Sequence, residues 1–280
     1  MEKFLSVVIV NLNYGRFLER AIKSVIEQDG FDLCELIIID GGSHDDSVDV
    51  IKKYSERISY WVSEPDKGQS DAFNKGFSHA MGKFLTWLNA DDIMLPGTVR
   101  CLHINSLRHK GCVWFTGNYL QYRMDNQKII FAPWGPHWVP GFLQTFRYPL
   151  VIFGPTSFWA RSVWDKVGMM SVGLRYSMDT EYWLRMKRIG CRFRRLNHCC
   201  WAFGMHNESK TALYAGRVVS ADIKRSWYDE LKIVNNSVGY TCSKGLSFIG
   251  RVLRLIDFSF AVAIYRRIFI VGRTISIYFE

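Results

Sequence analysis

Three short apolar runs constrain this chain more than any other feature: Leu5–Val10, Leu36–Ile39 and Phe84–Leu88. Each is four to six residues long, largely β-branched or aromatic, with almost no polar alternation. Such runs read as strands buried on both faces. Helical patterns lie between them. Residues 16–28 place Phe17, Ala21, Ile22, Val25 and Ile26 on one face, and Gln69 to Ala80 reads as another helix. Ser43, with Asp46 three residues on, reads as the N-cap of a third. A further strand is expected at 58–62, and the run ending at Leu88 is then the fourth. Strands alternating with helices predict an α/β fold, a mostly parallel sheet with right-handed crossovers.

A parallel sheet brings whatever follows its strands to one edge, where ligands bind in open α/β folds. Here Asp40 follows one strand, and Asn89-Ala90-Asp91-Asp92 follows another. Adjacent carboxylates repel each other, so a fold that sets two at a strand end is expected to hold a cation there. A hard divalent ion in that place points to phosphate chemistry. The loop from Ser63 to Gly76 is polar and turn-rich, and its backbone amides with Lys67 or Lys75 suit a diphosphate.

Other classes are disfavoured. No GxGxxG follows the first strand, against a dehydrogenase Rossmann unit, and no P-loop is present. A sugar nucleotidyltransferase needs a Gly-rich basic loop after the first strand, which Asn11-Leu12-Asn13-Tyr14-Gly15 does not supply. The net charge of +10 suits a non-catalytic binder of lipid or nucleic acid, but such a module does not account for the ordered acidic motifs. The seven Cys form no CxxC pair, so a reduced, cytoplasmic compartment is expected. No signal peptide is read at the N-terminus, and no run of 18 apolar residues is long enough to span a bilayer. Aromatics make up 15% of the chain, with ten Trp; most are expected in the core, the remainder as stacking platforms for sugars or bases.

Several segments together resemble family 2 glycosyltransferases of the GT-A fold, the type found in bacterial polysaccharide synthesis. They are residues 6–13, Ile39-Asp40-Gly41-Gly42-Ser43, the Glu64-to-Gly76 loop and Asn89-Ala90-Asp91-Asp92, in that order and spacing. The likeness continues through Gly154-Pro155-Thr156-Ser157-Phe158-Trp159, the Arg175-to-Arg185 stretch and His206-Asn207-Glu208-Ser209-Lys210-Thr211, covering roughly residues 4–215.

The resemblance implies a set of roles. A Rossmann-like sheet flanked by helices would fill residues 1–215, with a nucleotide-sugar half at 1–100 and an acceptor half at 101–215. Asp40 would hold the base of a nucleotide-diphosphate sugar, a UDP-sugar above all. Asn11, Asn13, Lys67, Gln69, Asn74, Asn89 and Asp91 would line the rest of that donor site. Asp91 and Asp92 would bind Mg²⁺ or Mn²⁺, Asp92 being the more direct ligand, and His206 would add a further ligand or a diphosphate contact. Asp179 matches the catalytic base, with Glu181 as the fallback; Met178 stands where the family usually has Glu. Phe73 stands where members often carry an Arg, which leaves Lys75 or Lys67 to meet the diphosphate. The implied reaction is inverting transfer to a saccharide or lipid-linked acceptor, with no nucleic acid involved. Loops such as 133–149 would set sugar specificity.

Residues 216–280 read as a C-terminal helical extension, including a helix at 217–238. The stretch 245–280 is apolar and basic together, with Arg251, Arg254, Arg266 and Arg267 off an apolar stripe. That pattern suits peripheral contact with the cytoplasmic face of an inner membrane. A second basic cluster, Arg185 to Arg195, reads as a solvated face.

Overall fold

A computed structural model of the chain describes residues 2–131 and 154–209. The expected specificity loop 133–149, the helix at 217–238 and the tail 245–280 lie outside the described residues.

The apolar runs form the strands that their composition demands. β1 (Leu5–Asn11) and β2 (Cys34–Asp40) are buried along their whole length. β3 (Tyr60–Ser63) and β4 (Phe84–Asn89) complete a four-stranded parallel set in the order β3-β2-β1-β4. The register pairs Asn11 with Asp40 and Val10 with Asn89, so the polar ends of three strands stand level at one edge. Helices α1 (Gly15–Ile26), α2 (Ser47–Lys53) and α3 (Gln69–His79) connect them. α1 buries Leu18, Ala21, Ile22 and Val25, the spacing expected of one apolar face. α3 lies close on β1 and β2, where Gly76 sits against Val8 and Ile39.

The second half extends the same sheet with strands of both senses. β5 (Ile93–Met94), α4 (Thr98–Arg108), β6 (Trp114–Arg123) and β7 (Ile129–Phe131) come first. After residue 153 follow β8 (Ser157–Ala160), α5 (Arg161–Val167), α6 (Met178–Arg188) and β9 (Arg194–Met205). Beyond β4 the order runs β8-β6-β9-β5, with β7 on β6. β8 is antiparallel to both β4 and β6, while the long β6–β9 ladder is parallel. The parallel ladders are the long ones, so the sheet is mostly parallel although its second half is mixed.

Four tryptophans fill the join between the halves. Trp87, Trp114, Trp159 and Trp183 are buried, and Trp87 stacks on Trp183 with centroids 5.4 Å apart and planes 4° from parallel. Trp114, Trp159 and Trp183 are core residues off the cleft at the strand ends, whereas Trp87 also lines it.

The start of α2 differs from expectation. Ser43 is not its N-cap: the hydroxyl of Ser43 is turned back onto Asp40. Asp46 holds the N-cap position without a side-chain cap bond, and Asp45 before it accepts from Ser47 N at 3.1 Å and Ser47 Oγ at 2.5 Å through Oδ1, and from Gly15 N at 2.9 Å through Oδ2. One carboxylate thus serves the first turns of two helices. Nor is the Arg185–Arg195 cluster one solvated face. Arg188, Arg192 and Arg194 are exposed, but Arg185 is turned inward. Among the described residues, no helix is long and apolar enough to cross a membrane.

Candidate active site

A cleft of about 730 Å³ opens at the C-terminal ends of the parallel strands. It is lined by Asn11 from β1, Gln69 from α3, and Asn89 and Asp91 from the end of β4. Tyr119 and Gln121 from β6, Trp201 and Phe203 from β9, and Arg175, Tyr176 and Asp179 around the start of α6 line it too. Strand alternation explains the β6 and β9 residues, since each pair is spaced by two and so shares a sheet face.

Asp40, expected to hold the base, does not line the cleft. Its carboxylate is fully buried and its acceptor positions are taken. Oδ1 accepts from Asn11 Nδ2 at 2.7 Å and Ser43 Oγ at 2.5 Å, and Oδ2 from Ser43 N at 2.9 Å and Ser63 Oγ at 2.6 Å. Burial alone would raise its pKa, but the hydrogen bonds from Ser43, Ser63 and Asn11 outweigh burial and hold it below the usual carboxylate range. Asp40 frames Asn11, which does line the cleft. The Asn11 Oδ1 is buried and has no partner among the described residues. An orphaned acceptor of that kind costs about 1–3 kcal/mol unless a ligand satisfies it. Asn13 also stands outside the cleft. It adopts φ +57°, and its side chain accepts from His44 N at 2.9 Å, holding the turn.

Asp91 and Asp92 part company at the end of β4. Asp91 lines the cleft, and its Oδ2 lies 3.1 Å from His206 Nε2. Asp92 is buried at 1% exposure, accepting from Asn89 Nδ2 at 2.8 Å and Gly204 N at 3.1 Å. Burial and then the Asp91 charge push its pKa well above the usual range. Of the two, Asp91 lines the cleft, and Asp92, expected as the more direct metal ligand, anchors the turn to β9. Asn89 links this turn to α3 by accepting from Gln69 Nε2 at 2.8 Å. His206 is held edge-on by Tyr14 and packs on Phe17, with centroids 5.5 and 4.7 Å away. Tyr14 donates to the Glu208 carbonyl at 3.1 Å, and Arg16 pairs with the Glu208 carboxylate. The buried Nδ1 of His206 has no partner among the described residues.

No three His, Cys, Asp or Glu side chains gather into a ready-made metal cluster among the described residues. Asp91 with His206 nevertheless fits a hard divalent ion of the kind expected. Mg²⁺ in particular takes one or two protein ligands and completes its shell with substrate phosphate and water.

The helix that opens at Met178 separates the two candidate bases. Asp179, in the first turn of α6, lines the cleft and accepts from Thr180 N at 2.6 Å. Glu181 does not reach the cleft. Its carboxylate grips Arg185 at both oxygens, Nε–Oε1 at 2.6 Å and the second N–H group to Oε2 at 2.9 Å. Arg185 also donates to the carbonyls of Val167 and Met169, each at 2.8 Å. The fallback base is thus the partner in a brace between α6 and the segment after α5. Met178 packs under the helix and accepts from Ser70 Oγ at 3.0 Å.

Three further expected contacts fall away. Asn74 is buried and spends its amide on the backbone of Met170, accepting at 2.8 Å and donating at 2.9 Å. Lys67 is exposed and off the cleft wall, and Lys75 binds Glu64 at 2.7 Å and the Pro65 carbonyl at 3.1 Å. Sequence reasoning passed over Tyr119, Gln121, Trp201 and Phe203. Their period of two was the available signal, but mixed residues in β6 and β9 mask it.

Comparison with known proteins bears on this geometry. The family model described as Glycosyl transferase family 2 matches residues 6–180. An uncharacterized glycosyltransferase of Mycobacterium tuberculosis is 32% identical over 182 residues, 65% of this chain and 68% of that protein. The Campylobacter jejuni GalNAc(5)-diNAcBac-PP-undecaprenol beta-1,3-glucosyltransferase is 38% identical over 102 residues, 35% of this chain and 33% of that enzyme. Across such relatives the matched stretch spans 26% to 68% of the relative's own length. Among solved structures, the mannosyltransferase PcManGT from Pyrobaculum calidifontis, in complex with GDP-Man and Mn²⁺, superposes with a TM-score of 0.56. That match covers 96% of this chain and 88% of the other at 12% identity, which establishes the shared GT-A architecture and nothing finer.

Proposed function

The chain belongs to glycosyl transferase family 2, and from that premise we propose that it moves a sugar from a nucleotide-diphosphate sugar to an acceptor hydroxyl, with inversion and with a divalent metal. One observation carries the reading. Two carboxylates, Asp91 and Asp179, line one cleft at the ends of the parallel strands, and the His206 imidazole stands 3.1 Å from the first of them.

Asn11 lines the cleft, and on turning its partnerless Oδ1 toward the ligand it would accept from a ring N–H of the base, which suits uracil and hence a UDP-sugar. Asn89 and Gln69 bound the donor side. Asp91 and His206 would hold Mg²⁺ or Mn²⁺, which when bound supplies positive charge to the departing diphosphate. Asp179 removes the proton from the acceptor hydroxyl. The oxygen so freed forms its bond to the anomeric carbon. On the opposite face the bond to the nucleoside diphosphate breaks, and its electron pair leaves with the phosphate oxygen. A single displacement of this geometry inverts the anomeric centre.

The acceptor is proposed to be a saccharide or lipid-linked saccharide of cell-envelope synthesis. The Campylobacter relative, named for a glycan linked to undecaprenol through a diphosphate, supports that class. Residues 1–215 would then form the catalytic unit, with 216–280 as an extension resting on the cytoplasmic membrane face.

The test compares Asp179→Asn and Asp91→Asn with the unmodified enzyme by release of nucleoside diphosphate. Losing the base should lower kcat by about 10²–10⁴ with donor affinity retained. Losing Asp91 should weaken donor binding and its dependence on metal. An Asp179→Asn enzyme that turns over normally would remove the assignment of the base.

A further inference from the structure

The described lining of the cleft carries little positive charge for the substrate proposed. Among its described lining residues are three carboxylates, Asp66, Asp91 and Asp179. Against them stands one basic side chain, Arg175. The cations that sequence reasoning assigned to the diphosphate are elsewhere. Phe73, at the position where the resemblance implies an Arg, is fully buried. Lys75 is committed to Glu64, and Lys67 is off the wall. A diphosphate entering this space adds two or more negative charges, and one divalent ion at Asp91 and His206 does not balance them all.

We infer that Arg175 supplies the cationic contact to the diphosphate in this cleft, in place of the lysines of the Glu64-to-Gly76 loop. The inference rests on the glycosyltransferase reading and deepens it. A guanidinium group is well matched to a diphosphate, because it stays charged and binds two phosphate oxygens side by side. Its placement suits it too. Arg175 lies four residues before Asp179, lines the same cleft as Asn89, Gln69 and Asp91, and its guanidinium stands 5.7 Å from the ring centroid of Tyr176, which also lines the cleft.

The same chemistry has two sources: the donor's own diphosphate, or a diphosphate that links an acceptor to a lipid. The experiment separates them. Calorimetric titration of the full chain with uridine and with UDP, each with Mn²⁺ present, is run on the unmodified protein, Arg175→Gln and Arg175→Lys. Loss of one charge-assisted contact predicts UDP affinity down roughly tenfold to a hundredfold in the Gln variant, with Lys between. Uridine affinity should stay within twofold, whereas a merely structural Arg175 would weaken both ligands together. A second arm compares transfer to a polyprenyl-diphosphate-linked saccharide and to an uncharged alkyl glycoside. UDP affinity intact with transfer lost only for the charged acceptor would assign the phosphate to the acceptor. Equal UDP affinity and equal acceptor preference in Arg175→Gln would overturn the inference while leaving the enzyme reading in place. Failure of the unmodified protein to bind UDP, GDP or any nucleoside diphosphate would remove both.

Discussion

Replacing Asp40 by Asn tests whether this residue frames the site or touches the ligand. The carboxylate accepts four hydrogen bonds between 2.5 and 2.9 Å, two at each oxygen. An amide can accept at only one position. If its NH₂ takes the Oδ2 place it meets Ser43 N, a donor that cannot turn to accept; if it takes the Oδ1 place it meets Asn11 Nδ2, and Asn11 must flip its amide and give up its donation to Ser43 Oγ. Hydrogen bonds to a charged group contribute about 1.5–3 kcal/mol each. They do not add, and burial of the charge opposes them, so the net loss should be about 2–4 kcal/mol. At roughly 2–4 °C per kcal/mol for a large domain, melting should fall by about 5–15 °C. The pH dependence has a definite sign. Asp40 is held below its ordinary value, so its stabilisation is complete above the unfolded-state pKa of about 3.9 and is lost as pH falls toward the folded value. The gap between variant and parent should therefore be full at pH 7 and narrow below about pH 4. Denaturant melts across that range measure it, alongside binding of UDP, GDP and ADP. Framing predicts lower stability with the order of base preference kept. Unchanged stability with a switched base preference would refute it and return Asp40 to the ligand.

Two other substitutions probe the scaffold. Arg185→Ala removes the brace on α6, leaving Glu181, with a side chain only 10% exposed, unpaired together with two carbonyls. Stability should fall by about 2–4 kcal/mol in denaturant melts, and Glu181→Ala on top should add less than its separate effect. Gly76→Ala would drive a methyl group into Val8 and to within 3.3 Å of Ile39 Cγ1, both β-branched residues of fully buried strands. Overpacking of that kind should cost about 1–3 kcal/mol by the same measurement, and an unchanged melt would mean that α3 can shift off the sheet.

The first hundred residues were readable because burial on both faces demands unbroken apolar runs, and β1, β2 and β4 have them. The later strands were not. β8 has only four residues, and β9 mixes Arg, Asn, His and Cys with its apolar residues, so neither shows a period. The site was legible by type more than by role. A carboxylate after a strand looks the same in sequence whether it faces the cleft, as Asp91 does, or closes its own turn, as Asp40 and Asp92 do. Only the partners decide, and the decisive ones lie far along the chain: Ser63 is 23 positions from Asp40, and Gly204 is 112 from Asp92. Glu181 stands four residues before Arg185, the spacing of a helical ion pair, whereas Asp179 stands six before it and is off that face, so this pairing was available in the spacing. Arg175 was in view within the Arg175-to-Arg185 stretch, yet nothing in the sequence signalled that Lys67 and Lys75 would point elsewhere.

The most direct measurement is a donor screen with the unmodified chain. A panel of nucleotide sugars is incubated with Mn²⁺ or Mg²⁺ and then with EDTA, and release of nucleoside diphosphate is followed with and without simple glycoside acceptors. Metal-dependent release from one donor, a UDP-sugar, is expected, abolished by EDTA and restored by adding the ion back. Release unaffected by EDTA would contradict the role given to Asp91 and His206. No release from any donor, together with no shift in melting temperature on adding any nucleoside diphosphate, would contradict the glycosyltransferase mechanism as a whole.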